Sequence, residues 1–169
     1  MAIFMKYGNT QGDATQVDYE GWINIDEFTW QIDWSITHRA TIKHNTRDGK
    51  HPTVQDITIR KTTDSSSKGL MDAICQPQNP NGEDCVIRFL LTSFLEQKNH
   101  DAERQPFLEY KLTNTLVTSV TVHADGTNPR PTETIKLNFT AVEMRVWSLD
   151  ESNTRLAPQR FGPYSKIEG

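Results

Sequence analysis

A chain of 169 residues is long enough to fold as one domain without disulfide or metal staples. Hydrophobic residues make up 35%, charged residues 24%, and the mean hydropathy is −0.65. No apolar run approaches the roughly 20 residues that a membrane-spanning helix needs, and the formal net charge of −4 excludes the basic surface that nucleic-acid phosphates require.

The chain opens on Met1-Ala2-Ile3-Phe4-Met5-Lys6, whose short apolar run has no preceding basic residues and no small-residue cleavage site. This reads as the absence of a signal peptide and predicts synthesis and folding in the cytoplasm, so any export must proceed without such a signal. Residues 11–33 carry Asp13, Asp18, Glu20, Asp26, Glu27 and Asp33 with no Lys or Arg, a sum of −6. Within them Ile23 and Ile25 alternate with polar residues, and then Phe28, Trp30 and Ile32 continue on the opposite parity. Such a switch predicts a strand bent near Asp26-Glu27.

Residues 38–51 reverse the sign. Arg39, Lys43, Arg47 and Lys50 against Asp48 sum to +3, and with His38, His44 and His51 they predict an extended, basic surface loop. The histidine spacings of six and seven match no familiar zinc pattern, so no metal is assigned to them. Ile57 and Ile59 begin a half-buried strand. Asp64 and the serines 65–67 then offer capping oxygens to a short helix with Leu70, Met71 and Ile74 as its apolar stripe, and Pro77 forbids continuation past about Gln76. Cys75 and Cys85 form no Cys-x-x-Cys pair and are expected as reduced thiols in or near the core.

Ile87, Phe89 and Leu91 define one face of the next strand. From Phe107 the even positions Leu108, Tyr110, Leu112, Leu116, Val120 and Val122 are apolar, a period of two held for some 50 Å of extended chain, which predicts a bend at Asn114. A last ladder, Ile135, Leu137 and Phe139, changes parity to Val142, Met144 and Val146, again the mark of a bulge. Segments 76–84, 97–105 and 125–131 read as loops, and 146–169 as an irregular segment or docking arm. The fold class is therefore mainly β: a small antiparallel barrel with one short helix packed on it and an extended loop.

Catalytic patterns are scarce. Ser65-Ser66-Ser67-Lys68 matches the Ser-x-x-Lys of penicillin-recognising enzymes, but the companion motifs are missing and helix capping explains the serines. No nucleophile elbow, zinc-protease, phosphate-loop or dinucleotide pattern occurs, and the adjacent Asp26 and Glu27 point to opposite faces of a strand. The chain reads as a non-enzyme without cofactor or metal.

Four blocks in order, Lys6 through Gly12 to Gly21-Trp22-Ile23-Asn24-Ile25-Asp26-Glu27-Phe28-Thr29-Trp30, Pro52 to Lys61 with Asp64 and Ser67, Leu108 to Ser119, and Arg130 to Met144, resemble the haemolysin co-regulated protein (Hcp) family, the inner-tube proteins of the type VI secretion system. The resemblance implies a single tube-subunit domain over 1–169 that forms hexameric rings. These rings stack head to tail into a hollow tube that is exported without a signal peptide and carries or stabilises effectors. It further implies a spike protein, a contractile sheath and effectors as partners, with neither nucleic acid nor membrane insertion. The segment 36–53, commonly Gly-rich in the family and reaching a neighbouring subunit or ring, is here basic. His38, Arg39, Lys43, His44, Arg47, Asp48 and Lys50 are thus candidates for an inter-subunit or inter-ring contact, with Asp13, Asp18 and Glu20 as the complementary acidic surface. The alternative from another class is a monomeric ligand-binding β-barrel.

Overall fold

The computed structural model describes residues 1–34, 36–41, 44–49, 52–91, 106–148 and 156–166, the 36–49 stretch by its backbone. In chain order the described elements are β1 (Ala2–Tyr7), β2 (Ile23–Ile25), β3 (Glu27–Thr29), β4 (Ile32–Asp33), β5 (Ile36–Thr41), β6 (His44–Gly49), β7 (Thr53–Val54), β8 (Ile57–Thr62), α1 (Ser66–Cys75), β9 (Glu83–Leu90), β10 (Leu108–His123), β11 (Thr132–Asn138), β12 (Ala141–Val146) and β13 (Gln159–Ser165). Antiparallel pairing runs β2-β1-β9-β10-β11-β8-β3, and β12 branches off β10 to pair with β13.

The two ends of that order belong to one bent strand. Ile23 and Ile25 are buried and pair with β1, whereas Phe28, on the other parity, packs inward from β3 against Phe89 and Tyr110. Between them the Asp26 amide donates to the Arg60 carbonyl at 2.8 Å, which fastens the bend to β8. The sheet therefore curls until both its edges lie on the same stretch of chain, although no ladder joins β2 to β3. Its interior is filled by side chains: Met5, Ile23, Ile57, Ile59, Ile87, Ile135 and Leu137 are fully buried.

Strand β10 makes the second corner. Tyr110 and Leu112 face the core from even positions, Asn114 adopts a left-handed φ of 49°, and from there Thr115 and Val117 face inward from odd ones. The uniform even face expected from the apolar period is thus corrected at Asn114. Leu116 is half-buried and Val122 is 48% exposed. The first half of β10 pairs with β9 and β12, and the second half with β11. The same step occurs after Asn138, where the Thr140 amide and hydroxyl both donate to the Thr113 carbonyl.

Four further expectations are corrected. The helix buries Ser66, Ser67 and Leu70, while Met71 and Ile74 are each 39% exposed, because a polar latch at its N-terminus takes the place of an apolar stripe. Cys75 lies exposed on that helix. Cys85 alone is buried, where the dry environment pushes its thiol far above the ordinary range, and both are free. Leu91 lies beyond β9 and is exposed. Part of the C-terminal segment is not irregular: β13 pairs with β12 over Gln159–Ser165, and Lys166 bonds Asp56 at 3.1 Å and lies over the Phe139 ring. Its Pro163 disguised it, yet an edge strand tolerates proline.

The basic loop expected over 38–51 carries strand in its described residues. Strands β5 and β6 pair from Ile36↔Gly49 to Thr41↔His44 as a two-stranded sheet of their own, on a root made by β4 and β7.

Candidate functional site

The acidic segment is a closed loop with its own backbone bonds. Gly12 donates to Gly21, Gly21 to Ala14 and Ala14 to Trp22, all within 3.0 Å, and a Cβ at Gly12 would strike the Trp22 carbonyl at 2.4 Å. Tyr19, only 2% exposed, turns inward to stack on Phe4. Asp18 and Glu20 on either side of it are left in water, Asp18 with a left-handed φ of 71°.

What holds the loop down is a charged row across the sheet. The Arg88 guanidinium lies 5.2 Å from the Trp22 ring and 6.0 Å from the Tyr19 ring, and its Nε donates to Glu109 at 2.7 Å. Glu109 is itself 3% exposed and faces Arg145, whose Nε bonds Glu143 at 2.6 Å. Asp13 is already engaged at home, accepting from the Ser65 hydroxyl beside α1. Of the three acidic candidates, Asp18 and Glu20 are therefore the freer pair.

His38, Arg39, His44, Arg47 and Asp48 lie on the β5–β6 hairpin, whereas Lys43, Lys50 and His51 lie outside the described residues. Within one copy this hairpin pairs only with itself among the described strands. It leaves the chain after Thr29, while the acidic loop enters at Ile23, so the two segments depart from opposite ends of the bent β2–β3 strand. No described ladder joins the basic hairpin to the acidic loop.

A second cluster went unread in the sequence. Lys61, wholly buried, reaches Asp64 at 2.7 Å, Glu133 at 3.1 Å and the Ser67 hydroxyl at 3.1 Å. Burial alone would raise the Asp64 carboxyl, but hydrogen bonds from Lys61 and Ser66 and the Lys61 charge outweigh it, and the group lies below its ordinary 3.8. A signal was present: Lys61 follows Ile57 and Ile59 on the core parity of β8, and Glu133 precedes Ile135 and Leu137 on that of β11. Here a lysine ammonium does touch a serine hydroxyl, with Asp64 and Glu133 both paired to the same Lys61 Nζ. Lys68, the lysine of the Ser-x-x-Lys pattern, instead pairs in solvent with Asp72.

With this geometry in place, comparison with known proteins is specific. The sequence model of the family described as "Type VI secretion system effector, Hcp" matches residues 4–146. Among solved structures, a type six secretion system protein superposes with a TM-score of 0.76 at 21% identity, over 99% of this chain and 96% of its own. Hcp1 from Salmonella typhimurium gives 0.64 at 16% identity, over 92% and 98%. The sheath-tube complex of the extracellular contractile injection system PVC, in its extended state, gives 0.59 at 18%, over 85% and 88%. Among curated proteins none matches.

Proposed function

The chain belongs to the Hcp family of type VI secretion proteins, and from that premise we propose that it is a structural subunit of the system's inner tube. Six copies form a ring, rings stack head to tail, and the hollow tube is exported with effectors in its lumen. The observation that carries this reading is the extent of the family match, which spans the chain from β1 to the end of β12 and so covers every strand of the curled sheet except β13. The subunit works by assembling rather than by catalysis, and its cytoplasmic synthesis, spike and sheath partners and signal-independent export belong to the same reading. A ligand-binding barrel needs a hollow interior, and here isoleucine and leucine side chains fill it.

Light scattering of the purified protein is expected to give about six times the monomer mass, with six-fold annular particles in micrographs. A monodisperse monomer at micromolar concentration would sink the proposal.

Ring stacking is a heterologous contact between two different surfaces. Departure of the acidic loop and the basic hairpin from opposite ends of β2–β3 supports a contact in which Arg39, Lys43 and Arg47 of one ring approach Asp18, Glu20 and Asp13 of the next. An exposed pair contributes only about 0.2 to 1 kcal/mol, but six-fold symmetry repeats it. Lys43→Glu with Arg47→Glu is expected to leave rings intact and abolish their stacking at low salt, as sedimentation would report. Stacking equal to the parent's, or loss of the ring itself, would exclude this pairing.

A further inference from the structure

Helix α1 has three faces. Ser66 and Leu70 point to the core, Lys68, Met71 and Cys75 to solvent, and Gly69, Asp72, Ala73 and Gln76, spaced by three and four residues, line a groove between the helix and the sheet. The groove measures about 330 Å³. Leu116, the residue displaced from the core by the Asn114 bend, lines it together with Tyr7 and Pro77, and Glu83 contributes a carboxylate at the start of β9.

Its electrostatics are one-sided. No Lys or Arg lines it among the described residues, while Gln76, Gln78 and Asn79 bring amide oxygens. Asp72 is neutralised from outside by Lys68, whereas the half-buried Glu83 carboxylate has no ion pair among the described residues. Burial, followed by the negative charge potential at Cys85 and Glu83, pushes the Tyr7 hydroxyl up to about 12. An apolar wall with a carboxylate and amide acceptors suits a long side chain with an aliphatic stem and a cationic head. Beside the groove, Met71 and Ile74 expose apolar surface that a docked backbone would cover.

The geometry points to this groove as the seat of a lysine or arginine side chain from a second copy of the chain. A second copy is the occupant favoured by charge: the chain is acidic overall and concentrates its positive surplus, +3, in residues 38–51, whose described strands pair only with each other. The inference rests on the tube-subunit reading and adds an acceptor for the basic segment distinct from Asp18 and Glu20.

Cys75 provides the readout, since it is exposed at the end of α1 while Cys85 is buried. Maleimide labelling of the intact protein, followed by mass spectrometry, is expected to be about tenfold slower for Cys75 in the assembled protein than after dilution to single subunits. Glu83→Gln keeps shape and removes charge, and is expected to weaken the contact about tenfold and restore labelling without changing the melting temperature. In a mixture of isotopically light and heavy copies, carbodiimide should join Glu83 of one copy to a lysine of the other in the parent. Protection that persists in Glu83→Gln, or an assembled protein whose Cys75 labels freely, overturns the inference while the tube reading stands. A protein that scatters as a monomer removes both.

Discussion

Replacing Lys61 with Met is expected to cost about 3 to 5 kcal/mol of stability, because Glu133 and Asp64 then remain as buried carboxylates with no cation beside them. In a domain of this size the melting temperature should fall by on the order of 10 °C. The double variant Lys61→Met with Glu133→Met removes both deeply buried charges, leaving Asp64, whose side chain retains some access to water, and should recover most of the loss. Urea unfolding at pH 7 measures both. A single variant costing less than about 1 kcal/mol would mean that the cluster is wet, and that the surface pairs of this protein set the relevant scale.

The same cluster has a pH signature. The Asp64 pKa is depressed in the folded state, so its contribution is fully present above the ordinary 3.8 and is lost as pH falls through the lower, folded value. Acid unfolding of the parent should steepen in that window, and the slope should flatten in Lys61→Met, where the main source of the depression is gone.

Why this cluster escaped the sequence while the barrel did not is a matter of what periodicity encodes. The bends at Asp26 and after Phe139 were legible because apolar residues changed parity there, and burial in the sheet requires that change. Beyond Asn114 the apolar Leu116, Val120 and Val122 keep the parity of Leu112, and Val117 alone departs from it, so a bend was foreseeable but the exchange of faces was not. Thr115 is buried in place of Leu116 because the turn of the backbone decides the face. The helix misled for a related reason: Met71 and Ile74 fit an amphipathic stripe, yet Lys61 and Asp64 fix its N-terminus and rotate both outward. The β5–β6 hairpin carries polar residues on both parities, so no alternation announced it, and β13 was masked by Gly162-Pro163. Of the candidate surfaces, charge blocks were plain in the sequence, whereas the anchoring of the acidic loop by Tyr19, Arg88 and Glu109 depends on three segments that only the fold brings together.

Gly82→Ala is expected to destabilise the protein by about 2 to 5 kcal/mol, from two causes that add. Gly82 sits at φ 88°, a left-handed conformation that costs an alanine about 1 to 2 kcal/mol. Its missing Cβ would also stand 2.6 Å from the Asn114 carbonyl carbon and 2.8 Å from the Thr115 nitrogen, all backbone that no rotamer change can clear. Relief requires β9 to move away from β10 at the very residue where β10 bends, which would disturb the Glu83↔Thr115 pairing and the Tyr7 hydroxyl bond to the Thr115 carbonyl. Gly126 is the control, since a Cβ there meets nothing within 4 Å, and Gly126→Ala should lie within about 0.5 kcal/mol of the parent. Because the corner at Asn114 also places Leu116 and Glu83 at the groove beneath α1, Gly82→Ala at a temperature where it remains folded should label faster at Cys75 in the assembled state. Equal stability of the two glycine variants would show that the β9–β10 corner yields freely and does not fix the shape of the subunit.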